Sequence, residues 1–212
     1  MEMLVNSWLE TNFNIKLPLK KIELLDKYMQ LVLEANKYVN LTAITNTRDF
    51  IVKHIIDSLT LIPHIPQDCE LIDVGTGAGF PGVVVKLARD DIKLFLMDAR
   101  KKRINFLAEA LNKINIDAET VHARSEEWAK TNTRRFGCCT VRAVGKLDKL
   151  ACFTLPILKK TGILLAMKGP DVKTEIRESA YALKKFGGEI VDIKTYDIDE
   201  GLKRNIIVIK KS

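Results

Sequence analysis

Hydrophobic positions along this chain change rhythm once, near residue 67. Before that point they recur at three- and four-residue steps. Ile22, Leu25, Met29 and Val32 form one helical stripe behind Pro18. The stripe ends near Asn36, and Asn40–Ile44 (NLTAI) predicts a loop. Thr47 is placed to cap a second helix with Asp49 in its first turn. Phe50, Ile51, His54, Ile55, Leu59 and Ile62 form that helix's buried face, and Pro63 and Pro66 close the segment. Residues 1–66 therefore read as an N-terminal helical cap and residues 67–212 as a second unit.

From Glu70 short apolar runs alternate with helical patterns. ELIDV, IKLFLMD, a weaker AETVHA, CCTVRAV, GILLAMK, EIVDIKTY and RNIIVIKK have the texture of strands. The stretches 80–90, 101–114, 146–158 and 173–186 have the texture of helices, most clearly at Ile104, Leu107, Ala108, Leu111 and Ile114. This alternation predicts an α/β fold, a Rossmann-like sheet of about seven mostly parallel strands with helices on both faces and an antiparallel last strand.

Composition bounds the picture. The 212 residues are 47% hydrophobic and 29% charged, which excludes disorder as the dominant state. No apolar run approaches the roughly 20 residues needed to span a bilayer, and the N-terminus lacks the basic start of a secretory signal. A cytoplasmic protein with no membrane partner is expected. Cys69, Cys138, Cys139 and Cys152 have no zinc-like spacing and read as buried, reduced thiols. His64 and His122 lack ligand-like neighbours, so no metal is expected. The formal charge of +7 favours an anionic partner, nucleic acid first among them.

LIDVGTGAGFPG carries the most chemical information. A buried strand runs into Gly75, Gly77, Gly79 and Gly82, where glycine allows positive φ and close approach of backbone to a ligand. Asp98 ends the next strand, nineteen residues past Gly79, and faces the glycine loop across a crevice where a carboxylate can accept ribose hydroxyls. Gly77-x-Gly79-x-x-Gly82 matches a dinucleotide fingerprint, so a nicotinamide-dependent oxidoreductase is one reading. Its register is poor, because Gly75 already occupies the position directly after the strand. Asp-x-Gly-x-Gly-x-Gly from Asp73 fills every position of the pattern used by class I S-adenosylmethionine methyltransferases. There Asp73 could attract the donor's methionine amine directly or through water. A glycine-rich turn without any ligand is the bland alternative.

NLTAI, HIIDSL, LIDVGTGAGFPG, DARKKRINFL, VRAV, MKG and RNIIVIKK also occur in the order found in the bacterial 16S ribosomal RNA guanine-N7 methyltransferase G family, the glucose-inhibited division protein B family, which the chain resembles from about Leu31 to Lys211. The resemblance implies transfer of one methyl group from S-adenosylmethionine to N7 of a guanine in the decoding-region loop of 16S rRNA or the small ribosomal subunit. By motif position it implies that Gly75, Gly77 and Phe80 line the donor pocket and that Asp98 takes the ribose. Ser125 and Glu126 would meet the adenine edge, and Arg142 would stand beside the transferring methyl group. One departure is Gly137-Cys138 after Phe136, where the family usually has an aspartate.

Guanine N7 carries an in-plane lone pair and no proton, so this transfer needs alignment and no general base. Arg142 is therefore expected to position guanine, phosphate or donor. The A-form major groove is too narrow for side chains, so the guanine must lie in a loop or be extruded. Lys101, Lys102, Arg103, Lys168 and Arg204, with Arg134 and Arg135, are expected to form an RNA-facing rim. His54 and Asp57 suggest an acid/base pair, although a buried histidine with a local partner is the simpler expectation. Trp8 and Trp128 are expected to pack at core edges, and Asn36 and Asn40 to turn the chain. A monomer is expected. A methyltransferase of the same fold with a small-molecule or protein substrate, and a non-catalytic RNA-binding protein with an empty pocket, remain the alternatives.

Overall fold

The computed structural model describes all 212 residues. Two helices open the chain, α1 (Glu2–Phe13) and α2 (Leu19–Val39). Each ends on an asparagine in the left-handed region, Asn14 (φ 54°) and Asn40 (φ 52°), which this short polar side chain tolerates at helix ends. The following helix begins one residue earlier than expected. Asn46, not Thr47, is its cap, accepting from the Asp49 N–H at 3.1 Å. It comprises α3 (Thr47–Phe50), a π-helical stretch Ile51–Ile56 and α4 (Asp57–Leu59).

The remainder alternates as β1 (Glu70–Val74), α5 (Gly82–Ala88), β2 (Lys93–Asp98), α6 (Lys101–Lys113), β3 (Ala118–His122), α7 (Ser125–Trp128), β4 (Phe136–Arg142), α8 (Leu147–Thr154), β5 (Leu158–Lys168), α9 (Lys173–Lys185), β6 (Gly188–Asp199) and β7 (Leu202–Lys211). The seven strands form one sheet in the order β3-β2-β1-β4-β5-β7-β6. β1 to β5 are parallel, and β7 runs antiparallel between β5 and β6. The expected fold class and antiparallel last strand are both present.

The parallel strands explain where a site can form. Their C-terminal ends, at Val74, Asp98, His122, Arg142 and Lys168, share one edge of the sheet, and strand order reverses between β1 and β4. A crevice opens at such a reversal. On one face, Val5 and Leu9 of α1 and Tyr28 and Met29 of α2 join the same apolar core as Val83 of α5 and Leu107 of α6. The helical segment 1–66 and the sheet thus share one interior. On the other face Phe136, Leu150 and Leu183 form a second core.

Three of the four cysteines are buried, but Cys152 is exposed, because it lies on the solvent side of α8. Trp8 packs edge-on against Phe13 and Tyr196 and donates to the Asp197 carbonyl at 2.9 Å. Trp128 packs against Phe136. Both tryptophans are structural, as expected.

Candidate functional site

The loop after β1 is held from beneath by Asp73. This residue is fully buried, and its Oδ2 accepts from the Thr76 hydroxyl (2.6 Å) and the Gly82 N–H (2.9 Å). Its Oδ1 accepts from the Thr140 hydroxyl (3.0 Å). Burial pushes its carboxyl above the ordinary aspartate value, against the pull of those three bonds and the Arg142 charge. Asp73 is consequently the anchor of the loop, with every hydrogen bond directed into the protein. Gly79 (φ +85°) is the tightest point, since a Cβ there would stand 2.1 Å from the Tyr28 hydroxyl. That hydroxyl donates to the Ala78 carbonyl at 2.7 Å, so α2 pins the loop from above.

Asp98 ends β2 beside this loop. Its Oδ2 accepts from the Gly77 N–H (3.0 Å) and from Arg103 (3.2 Å), and its Oδ1 accepts from the Arg100 N–H (2.8 Å). A carboxylate offers about four lone-pair sites. Three are filled, so one ribose hydroxyl can be accepted directly and a second by releasing Arg103, the longest of the three bonds. A Cβ at Gly77 would meet only an Arg103 nitrogen, at 3.8 Å, which leaves the wall of the crevice open at that point. Ser125 and Glu126 follow β3, whose His122 pairs in register with Asp98, and therefore lie at the same edge one strand further out.

Across the crevice a buried polar network joins three segments far apart in the chain. Arg142, at the end of β4, donates from Nη1 to Asp57 Oδ2 (3.0 Å) and the Lys53 carbonyl (3.0 Å), and from Nη2 to His54 Nδ1 (3.1 Å). Arg204 of β7 grips the same carboxylate, from Nε to Oδ1 (2.6 Å) and from Nη2 to Oδ2 (3.0 Å). Asp57 is fully buried between the two guanidinium groups. Burial lowers the Arg142 pKa and the Asp57 charge opposes that shift.

A guanidinium can only donate, so His54 Nδ1 is an acceptor and the ring proton lies on Nε2. Nε2 meets the Thr42 hydroxyl at 2.8 Å. The His54 ring stacks on Phe80 with centroids 4.6 Å apart and planes 4° from parallel, while Phe50 and Tyr28 pack edge-on against Phe80. Burial first, and the Arg142 charge second, bring the His54 pKa down to about 3. This imidazole is neutral and both of its nitrogens are engaged. It is no acid/base partner of Asp57, whose hydrogen-bond partners are the two arginines. Sequence reasoning picked out Asp57 but missed its partners, Arg142 and Arg204, although a carboxylate on an apolar helix face signals a buried cation to meet it. Thr42, Thr140 and Tyr28 left no separate signal.

A cavity of about 460 Å³ lies on the outer side of Arg142, lined by Ile44, His54, Met167, Lys168 and Arg204 among others. Its wall is cationic, but the individual charges are tied down. Lys168 is paired with Glu175 at 2.6 Å, Lys53 with Asp49 at 2.9 Å and Arg204 with Asp57; Arg103, outside this cavity, is paired with Asp98. Lys101 and Lys102 are exposed at the start of α6. Arg134 and Arg135 do not join this rim. They precede β4, and parallel strands put its first residue at the edge of the sheet opposite Arg142. Gly137 sits at that distant edge too, beside Cys69, so the departure there leaves the ligand end of β4 untouched.

Comparison with known proteins agrees with this geometry. Residues 21–206 match the profile of the GidB family, described as rRNA small subunit methyltransferase G. A relative of that description from Clostridium novyi is 40% identical over 206 residues, spanning 94% of this chain and 85% of the relative. One from Desulfitobacterium hafniense is 39% identical over 203 residues, spanning 94% and 84%. Among solved structures, the Burkholderia thailandensis 1,6-didemethyltoxoflavin-N1-methyltransferase with bound S-adenosylhomocysteine superposes with a TM-score of 0.60 at 13% identity, over 93% of this chain and 92% of that one. TYW2 of M. jannaschii in complex with AdoMet gives 0.58 at 13% identity, over 74% of each chain. The fold is that of the S-adenosylmethionine-dependent methyltransferases, and the chain belongs to the GidB family of rRNA small subunit methyltransferase G enzymes.

Proposed function

We propose that this protein transfers the methyl group of S-adenosylmethionine to N7 of a guanine in the decoding-region loop of 16S rRNA. The donor supplies an electrophilic methyl group on a sulfonium sulfur. The crevice fits its nucleoside, because Asp98 retains acceptor capacity for a ribose hydroxyl beside the open Gly77 wall. Gly75 and Phe80 would line that pocket, and Ser125 and Glu126 would meet the adenine.

The observation that carries the reading is the neutral, fully engaged His54. Asp73 is fully buried and held by three donors, Asp57 is locked by two arginines, and Arg142 remains a cation. None of these groups is free to remove a proton, so the nucleophile must bring its own lone pair. N7 of guanine does so, unlike an exocyclic amine or a ring carbon. Two of the five guanidinium N–H groups of Arg142 have no protein partner, and they suit a guanine edge or a flanking phosphate. Arg142 thus positions the acceptor while its rigid partners hold it in place.

Incubation of the protein with labelled donor and either naked 16S rRNA or small subunits, then digestion to nucleosides, tests this reading. The label is expected in 7-methylguanosine. Label in a nucleoside methylated on an exocyclic amine or ring carbon, or in neither RNA substrate, overturns it.

A further inference from the structure

The edge of the sheet opposite Arg142 holds a second basic surface. Arg134 precedes β4, Lys184 and Lys185 end α9, and Lys211 ends β7, which runs antiparallel and so finishes at the edge where β4 and β5 begin. With Thr133 and Gly187 these four line a groove of about 640 Å³ that no acidic side chain enters.

Lysines at a helix C-terminus ordinarily answer the helix dipole. That explanation covers Lys184 and Lys185 but not Arg134 and Lys211, which arrive from two other elements. Arg134 adopts a left-handed backbone (φ 56°), a conformation unusual for a side chain of its kind, held by its N–H on the Pro156 carbonyl at 3.0 Å. The Lys211 ammonium donates to the Phe186 carbonyl and is fixed in the groove. Four cationic side chains from three parts of the chain thus line one groove that no acidic side chain enters, which makes its surface attractive to an anion. The lysine-rich depression between α2 and α6 differs in this respect, because Asp90 and Asp117 line it and Lys21 pairs with Asp90 at 2.8 Å.

We propose that this groove binds a stretch of the ribosomal RNA phosphate backbone remote from the methylated guanine. Six residue steps along β4 separate Phe136 from Arg142, about 20 Å at roughly 3.3 Å per residue. One RNA substrate therefore touches both ends of the sheet, the far end supplying affinity and orientation and the near one the chemistry. The inference rests on the ribosomal RNA reading above.

The test uses the full chain carrying Arg134→Glu, Lys184→Glu and Lys185→Glu together, with Lys184→Gln/Lys185→Gln as the milder variant. Binding of 16S rRNA is measured across about 0.05–0.2 M salt. Binding of S-adenosylhomocysteine serves as the control for folding. The triple variant is expected to lose about tenfold or more in RNA affinity at about 0.1 M salt. Its slope of log affinity against log salt should fall by about two, at roughly 0.7 for each phosphate that the protein no longer neutralises. KM for RNA rises with that loss, and the glutamine pair gives a smaller change of the same sign.

Wild-type protein that binds RNA alongside variants of equal affinity and slope overturns the groove. Wild-type protein that binds no RNA at all overturns the functional reading on which it rests. Loss of binding to phosphatidylglycerol vesicles, with RNA affinity intact, overturns the choice of RNA in favour of an anionic membrane surface.

Discussion

Asp57→Asn is the most informative single change in this protein. The substitution keeps the shape of the side chain and removes one negative charge held by two cations. Three hydrogen bonds end on that carboxylate, at 2.6, 3.0 and 3.0 Å, from side chains only 13% (Arg142) and 20% (Arg204) exposed. Without the charge, two guanidinium groups face each other in a partly dry pocket, and Arg204 already depresses the Arg142 pKa. Breaking a buried ion pair from one side costs about 3–5 kcal/mol. The residual exposure of both arginines places the expected loss near the lower end, about 3 kcal/mol. For a domain of this size that corresponds to a fall in Tm of about 6–12 °C. Urea unfolding should show the same loss with an unchanged m value. Adding Arg204→Met to Asp57→Asn removes the second uncompensated charge and should recover more than half of the loss. A loss below about 1 kcal/mol, or a double variant weaker than the single one, refutes the assignment of Asp57 as the electrostatic centre of the site.

Three further outcomes follow from the same geometry. Arg142→Ala should lower single-turnover methyl transfer by about a hundredfold or more, the scale of losing one positioning group, and an unchanged rate removes Arg142 from the reaction. His54 has a native pKa of about 3 against an ordinary 6.5, so below pH 6.5 the unfolded chain takes up a proton that the native state refuses. Its contribution is therefore complete above pH 6.5 and lost as pH falls toward 3, by about 2 kcal/mol at pH 5. Subtracting the pH–stability curve of His54→Gln from that of the wild type isolates this component, and parallel curves exclude it. Gly79→Ala should displace the Tyr28 hydroxyl, weaken donor-product binding and lower Tm, whereas Tyr28→Phe should cost only about 1 kcal/mol. Calorimetry with S-adenosylhomocysteine compares the two variants, and equal effects discount the steric clash.

Much of this architecture was legible in the chain because its period is strong. The parallel strands other than β3 carry short apolar runs, and α6 has a clean three-and-four spacing, so the sheet and the Gly75–Asp98 crevice follow from local pattern. Two things were not local. The first was the partner of each charge. Asp57, Arg142 and Arg204 are 85 and 62 residues apart in sequence (142 − 57 and 204 − 142), and only the strand order brings them together. Arg204 read as a free cation for the same reason, whereas Arg103 and Lys168 pair with Asp98 and Glu175 only five and seven residues away, across strand ends whose geometry no periodicity marks. The second was direction along a strand. Arg134 read as part of one rim with Lys168 and Arg204, yet it precedes β4 and so lies at the edge of the sheet opposite the strand's last residue, Arg142. The first residue of a helix is another limit of local reading, since Asn46 and Thr47 are both good caps and only geometry selects between them.

The π-helical stretch Ile51–Ile56 has a consequence for how this site tolerates a change in length. Such a bulge amounts to one residue more than a regular helix accommodates. Deleting one residue from its first half would let the stretch close into a regular helix and leave Asp57 in its present phase, within reach of both arginines. In a regular helix the same deletion would turn everything downstream by about 100°, the angular step of one residue. The surplus residue is thus slack, and the loss of one position falls on it before it falls on the charges.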